Sequence, residues 1–249
     1  MELHKILVFD IETAPMISHH WNPKAEWIPP VMNISKYYML SWAAKWAGKR
    51  GVFSDFLTAP ETHAADDDRI VLSLADLMRE ADIVVAHNGD RFDIKKVNWR
   101  VAKHGQEPLG PIRSIDTLKL SRNSFGTEYH NLNELGMELC GHSKIKTDWE
   151  LWEHAKNGDE AAMRKMVRYN RRDVTLLEEV FEAMKPYVKT LPRMVEGSGT
   201  QCPYCGMDVI KRGVKHTNAG TYQQYQCKEC QRYCRYKKAD FGGLDTRPV

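Results

Sequence analysis

Two short apolar runs, each breaking off into carboxylates, set the first constraint on this chain. Ile6-Leu7-Val8-Phe9 leads into Asp10-Ile11-Glu12-Thr13. Ile83-Val84-Val85-Ala86 leads, past His87, into Asn88-Gly89-Asp90-Arg91-Phe92-Asp93. Runs apolar at successive residues suit strands of buried character. Acids are poor strand formers and fall at strand ends. Residues two apart on a strand point to one face, so Asp10 and Glu12 project together while Ile11 turns to a core. Two like charges held close repel each other unless a cation neutralises them. Taken alone, each segment also has a bland reading. Asp10 and Glu12 could merely end a surface strand, and Asp93 could merely cap the helical stretch 94–103.

A third acidic segment, Tyr169-Asn170-Arg171-Arg172-Asp173, lies in a helical stretch. Tyr169 and Asp173 are four apart and share one helix face. Carboxylates and hard divalent cations are the usual equipment for cutting phosphodiesters. Taken together, Asp10-x-Glu12, Asn88-x3-Phe92-Asp93 and Tyr169-x3-Asp173 resemble the three motifs of the DEDD (DnaQ-like) 3′-5′ exonuclease superfamily. The likeness is nearest to the proofreading domains of family B DNA polymerases and their free-standing relatives, and it covers roughly residues 3 to 185. Some members carry a His five residues before the last Asp. Arg168 stands there in this chain, so the resemblance is to the tyrosine subclass.

The resemblance implies a ribonuclease H-like α/β fold, a mixed sheet with flanking helices. It implies two Mg²⁺ or Mn²⁺ ions held by Asp10, Glu12, Asp93 and Asp173, roughly 3.5–4 Å apart so that attacking and leaving oxygens are both stabilised. Tyr169 would orient the attacking water, because an ordinary phenol pKa of about 10 makes it a poor base. The product would be a nucleoside 5′-monophosphate from a 3′ end. Thr13 and Asn88 are candidates to touch the terminal nucleotide. Phe92 could pack beneath a base, although a core position suits it better. Asp90 competes with Asp93 for its role, and Asp116 is left outside the site.

The C-terminal part carries a second signal. Cys202-Pro203-Tyr204-Cys205 and Cys227-Lys228-Glu229-Cys230 are two Cys-x2-Cys pairs with the layout of a zinc ribbon. Four thiolates suit one structural Zn²⁺, and a segment of some forty residues lacks the apolar surface to fold alone. Cys234 could stand in as a ligand, and Cys140 reads as core. Cys202→Ser is expected to unfold this module and spare the nuclease chemistry. Residues 191–249 hold ten Lys and Arg against five Asp and Glu, whereas residues 1–190 hold 26 against 28. Lys211, Arg212, Arg232 and Arg235 interleave with Tyr222, Tyr225, Tyr233 and Tyr236. That composition fits a single-strand binder or, equally, a solvated ribbon surface. The module could also bind a replication or repair protein.

Domains are expected at 1–190 (nuclease), 191–200 (linker, with Pro192, Gly197, Ser198 and Gly199), 201–238 (zinc ribbon) and 239–249 (loose tail). The pattern places strands at 5–12, 37–46, 51–57, 83–87 and 113–116. Helices are expected near 69–81, 93–104, 131–140 and 159–184. No stretch has the length of a membrane span and no signal-peptide pattern is present, so the expected setting is the cytoplasm. The expected activity is a free-standing 3′-5′ exonuclease on single-stranded DNA. The alternatives are an RNA exonuclease of the same chemistry, an adaptor with a vestigial nuclease site, or an endonuclease of related fold.

Overall fold

The computed structural model describes residues 4–22, 24, 27–188, 191–195 and 201–237. The first apolar run forms β1 (Ile6–Thr13), and β2 (Ile17–Ser18) pairs with β3 (Asn33–Ser35) in a separate two-stranded ribbon. There follow β4 (Met39–Trp46), β5 (Phe53–Phe56), α1 (Ala59–Ala64) and α2 (Asp68–Glu80). Next come β6 (Ile83–Ala86), α3 (Asp93–Lys103), β7 (Arg113–Asp116) and α4 (Thr117–Ser124). Helices α5 (Leu132–Cys140), α6 (Trp149–Lys156) and the long α7 (Glu160–Met184) complete this part. Five strands form one sheet in the order β5-β4-β1-β6-β7. It is mixed: β4 runs antiparallel to β1 and β5, whereas β1, β6 and β7 are parallel. With helices flanking it, this is the ribonuclease H-like architecture.

The twofold alternation of β1 sorts its side chains between two cores. Leu7, Phe9 and Ile11 pack with Ile70, Leu74 and Met78 of α2 and Val97 of α3. Val8, on the other face, packs with Val174, Leu177, Val180 and Phe181 of α7. Asp10 and Glu12 are in phase with Val8, so they leave the strand on the α7 side. Truncating a fully buried ring such as Phe181 costs about 3–5 kcal/mol. Helix α7 is nucleated by Asp159, whose carboxylate accepts from the amides of Ala161 and Ala162. It ends at Met184, one residue ahead of the Lys185-Pro186 pair.

One buried ion pair ties three elements together. Asp67, fully buried, accepts from Arg100 Nε at 2.9 Å, His104 Nε2 at 2.6 Å and the Met39 amide at 2.7 Å. It thereby joins the start of α2 to α3 and β4. Removing the guanidinium leaves this buried carboxylate without its arginine counter-charge, with only His104 and the Met39 amide against it. Arg100→Ala should therefore lower unfolding free energy by about 3–5 kcal/mol, read from the denaturant midpoint. An unchanged midpoint would show that water reaches Asp67.

All the expected strands and longer helices occur, with ends within about three residues of those read from the sequence. The pattern missed β2, β3, α1, α4 and α6, whose eight residues or fewer fall short of the stretch over which a helical periodicity stands out. The C-terminal part forms β8 (Val209–Thr217), β9 (Gly220–Cys227) and β10 (Tyr233–Lys237), an antiparallel sheet in the order β10-β9-β8. Residues 191–195, expected to be linker, are packed. Leu191, Met194 and Val195 are buried in the core that holds Phe181, Met184, Cys202 and Tyr204. The Met194 amide donates to the Pro203 carbonyl, and its carbonyl accepts from the His4 amide. Residues 196–200 of the expected linker and the whole expected tail, 239–249, lie outside the described residues. No described helix is long and apolar enough to cross a membrane.

Candidate active site

The end of β1 and the middle of α7 meet. Carboxylate oxygens of Asp10, Glu12 and Asp173 lie within 4.8 Å of one another. Asp93, at the first turn of α3, stands beside this group. It is buried, and its Oδ1 accepts from the Ile11 amide at 3.3 Å, on the backbone between the other two acids. The structure thus gathers three of the expected four carboxylates tightly and anchors the fourth to the strand that carries two of them. A register shift between Glu12 and Thr13 interrupts the β1–β4 pairing there, and such irregularities re-aim side chains.

Three side chains that the motifs did not single out hold the acids in place. Asn170 Nδ2 donates to Asp10 Oδ2 at 2.6 Å, and Asn170 is fully buried. Trp152 Nε1, from α6, donates to Glu12 Oε2 at 3.0 Å. Lys144 Nζ lies 2.6 Å from Asp173 Oδ2 and 4.8 Å from the centre of the Tyr169 ring. Tyr169 also meets Trp152 edge-on, with centroids 5.8 Å apart. Lys144 sits in the loop between α5 and α6, fixed by its own amide on Asn133 Oδ1 at 3.0 Å. A buried Asn beside the motif tyrosine was a readable signal. Nothing in the local sequence marks Lys144 or Trp152, which reach the site through the fold.

The electrostatics follow from packing acids together out of water. Burial, and then the neighbouring carboxylates Glu12, Asp93 and Asp173, hold Asp10 well above the usual carboxylate range. Burial pushes Glu12 up to about 8 and Asp93 up to about 7. Asp173 is raised by burial too, against the pull of Lys144. Burial opposes the Lys144 charge, but Asp173 and Tyr169 outweigh it and hold the ammonium above the ordinary lysine range. Burial, helped by Asp173, raises the Tyr169 phenol. The donor set fits a hard divalent cation: clustered carboxylates, with Asp173 Oδ1 buried and lacking any hydrogen-bond partner.

Raised acids make the folded state hold protons that the unfolded chain has released. Their contribution is fully present below the unfolded pKa and is lost as pH rises through the folded one. Without divalent cations, stability should therefore fall between pH 5 and pH 8, by on the order of 4 kcal/mol from Glu12 alone. Magnesium added at pH 8 should restore it. Denaturant midpoints at the two pH values, with and without magnesium, check this. Stability rising with pH in magnesium-free buffer would contradict it.

The turn that delivers Asp93 explains two further residues of its motif. Asn88 has φ +64°, a left-handed conformation that Asn tolerates, and its amide donates to Asp116 Oδ1 at 2.9 Å. At Gly89 a Cβ would fall 2.4 Å from that of Ala86, so only glycine fits. Asp116 also caps α4 through the amides of Leu118 and Lys119. Asp90 faces away, paired with Lys119 and Ser114.

Among the expected nucleic-acid contacts, Thr13 is half-buried at the end of β1. Phe92 is 40% exposed beside Asp93, which corrects the core reading: the first turn of α3 leaves it outside the apolar face of that helix. Lys211 and Arg212 are exposed on β8, and Arg235 lies 5.1 Å from the Tyr222 ring. Arg232 does not belong with them. It is only 4% exposed; its guanidinium donates to the carbonyls of Lys185 and Val188 and lies 4.0 Å from the Tyr204 ring. Those bonds are spent inside the protein, where no phosphate reaches.

The four cysteine sulfurs of Cys202, Cys205, Cys227 and Cys230 converge within 4.8 Å. Cys202 and Cys230 are 3.7 Å apart, and Cys205 and Cys227 are 3.4 Å apart, with no disulfide formed. A compact set of four sulfurs fits a tetrahedral zinc centre. Cys234 is buried outside this group.

Comparison with known proteins agrees with this fold. A model of the RNase_H superfamily, RNase_H_2, matches residues 40–185. A protein of Ureaplasma parvum serovar 3 (strain ATCC 700970), "DNA polymerase III PolC-type", is 35% identical over 124 residues, 49% of this chain and 7% of that protein. The family B DNA polymerase from the hyperthermophilic archaeon Pyrobaculum calidifontis matches in structure with a TM-score of 0.51 at 18% identity. That match covers 74% of this chain and 25% of the other, and it is a likeness of fold. The chain spans a small part of both proteins.

Proposed function

Because this chain belongs to the RNase_H superfamily, we propose that it is a metal-dependent 3′-5′ exonuclease that releases nucleoside 5′-monophosphates from single-stranded DNA. The observation that carries this reading is the convergence of Asp10, Glu12 and Asp173, with Asp93 beside them and one Asp173 oxygen unsatisfied. DNA is chosen because the two proteins compared above are named as DNA polymerases. The same carboxylates would act on RNA, and hydrolysis of labelled RNA in place of DNA would redirect the assignment. We assign residues 1–190 to the nuclease and 201–238 to a zinc ribbon closed by Cys202, Cys205, Cys227 and Cys230. The ribbon's exposed Lys211 and Arg212 would meet nucleic acid or a replication or repair protein. A cytoplasmic setting suits cysteines reserved for metal.

Asp10, Glu12, Asp93 and Asp173 would hold two Mg²⁺ or Mn²⁺ ions, which when bound lower the pKa of water and neutralise the phosphate. The protein's own groups supply orientation. Asn170 and Trp152 hold Asp10 and Glu12 in one geometry each, so little reorganisation is left for the reaction. The raised Tyr169 phenol stays protonated near neutral pH, so its hydroxyl positions the attacking water and does not remove its proton. Lys144 keeps Asp173 in place and adds positive charge where the phosphate's negative charge grows.

End-labelled DNA and RNA strands, incubated with magnesium or manganese, test the whole reading. Stepwise shortening from the 3′ end is expected. Internal cuts would make the protein an endonuclease, and intact strands would make it an adaptor. Tyr169→Phe and Lys144→Met should each slow the reaction by about 10²-fold, less than loss of a carboxylate ligand. A Tyr169→Phe variant as slow as a ligand variant would give the phenol a larger chemical role than orientation.

A further inference from the structure

Helix α3 begins at Asp93, and its outward face is unlike an ordinary solvated helix surface. Val97, Arg100 and Val101 are buried, and the opposite side presents Phe92, Lys95, Lys96, Trp99 and Lys103. Their spacing of three, four, seven and eleven residues from Phe92 places them along one stripe. Trp99 is 58% exposed and Phe92 is 40% exposed. The Lys96 ammonium lies 3.6 Å from the centre of the Tyr37 ring and 4.6 Å from that of Phe92, held between two aromatic faces. Among the described residues, no acidic side chain lies within ion-pair distance of Lys95, Lys96 or Lys103.

We propose that this stripe is the track along which a single nucleic-acid strand runs into the acidic site. Exposed rings stack only on bases that are not paired, and the exposed ammonium groups of Lys95 and Lys103, without an ion-pair partner among the described residues, meet the phosphates, while Lys96 braces the Phe92 ring. The charge is complementary to a polyanion, and the stripe is continuous with the site because its first helical residue is Asp93. Phe92 lies nearest the reacting end, and Trp99 and Lys103 hold the strand behind it. From Phe92 to Lys103 the helix rises about 16 Å, room for on the order of three to five nucleotides. The inference rests on the nuclease reading and gives that site its substrate path and footprint.

The test uses the full chain carrying both Trp99→Ala and Lys95→Ala. Both side chains face solvent, so the thermal midpoint should stay within a few degrees of the parent. Fluorescence anisotropy with labelled single strands of 2, 4, 8 and 12 nucleotides, in calcium to suppress turnover, reads binding directly. Parent affinity should rise with length up to about five nucleotides and then level off. The double variant should bind the 12-mer about 10-fold or more weakly, with a shallower salt dependence, and should lose the rise with length. Equal affinity of parent and variant for the 12-mer would overturn the track, as would parent binding of a blunt duplex as tight as that of the single strand. If the parent binds strands as expected but cuts none with magnesium or manganese, the nuclease reading fails while the track stands.

Discussion

Asp10→Asn should give a protein that is inactive yet more stable than its parent when magnesium is omitted at pH 8. The loss of activity follows from the donor set. Asp10 is central to the carboxylate group, and a neutral amide binds a hard cation far less well than an anion does. A fall of about 10⁴-fold in single-turnover rate, or roughly 5.5 kcal/mol, is expected on an end-labelled strand. The gain in stability follows from the charges that raise Asp10. Burial and the carboxylates Glu12, Asp93 and Asp173 all oppose its ionised form. An amide of the same shape keeps the acceptor for Asn170 and removes that repulsion. A gain of about 1–3 kcal/mol is expected, vanishing when magnesium is added to the parent. A variant that hydrolyses at the parental rate would remove Asp10 from the site. One that is less stable without magnesium would show that the acids are not in conflict.

Cys202→Ser should have the second largest effect, and it should be felt through most of the molecule. Cys202, Tyr204 and Cys227 are buried in the same core as Phe181, Met184 and Val188 of the nuclease part. Arg232 is pinned to the carbonyls just beyond α7, and Met194 bridges the cysteine module to His4, two residues before β1. Loss of one sulfur ligand would release a metal held there, and with it the folding free energy that metal would contribute. The variant, measured in magnesium, should lose about 3–5 kcal/mol and melt about 10 °C lower, with zinc content falling from one ion to none. Below that temperature hydrolysis should persist. Asp173 lies about 17 Å along α7 from its C-terminal end, so disorder starting there reaches the acids last. Parental melting with no zinc bound would show that the cysteines do not hold a structural metal.

Chemistry that repeats in a local pattern could be read before any coordinates. The alternation of Asp10, Ile11 and Glu12 is a property of one strand, and the four-residue spacing of Tyr169 and Asp173 is a property of one helix turn. The side chains that hold those groups in place could not be read this way. Lys144 comes from a loop without regular structure, and Trp152 from a two-turn helix too short for its periodicity to stand out. The reading of Arg232 went astray for a related reason. A basic residue among tyrosines looks the same whether it faces water or the carbonyls at a helix end, and only burial separates the two. Phe92 erred the other way, since an apolar residue beside a motif acid suggests core until the face of α3 is known.

By itself, then, the amino-acid order determined the fold class, the acids and the sulfurs, because backbone periodicity and ligand spacing act over a few residues. Packing alone decided that the cysteine module shares a core with the nuclease. It alone brought Lys144, Trp152 and Asn170 onto the acids, and it alone left a ring-and-lysine stripe open along α3. Those relations join residues far apart in the chain, such as Asn170 and Asp10, 160 positions from each other. Their free energy comes from excluding water between surfaces that no short stretch of chain contains.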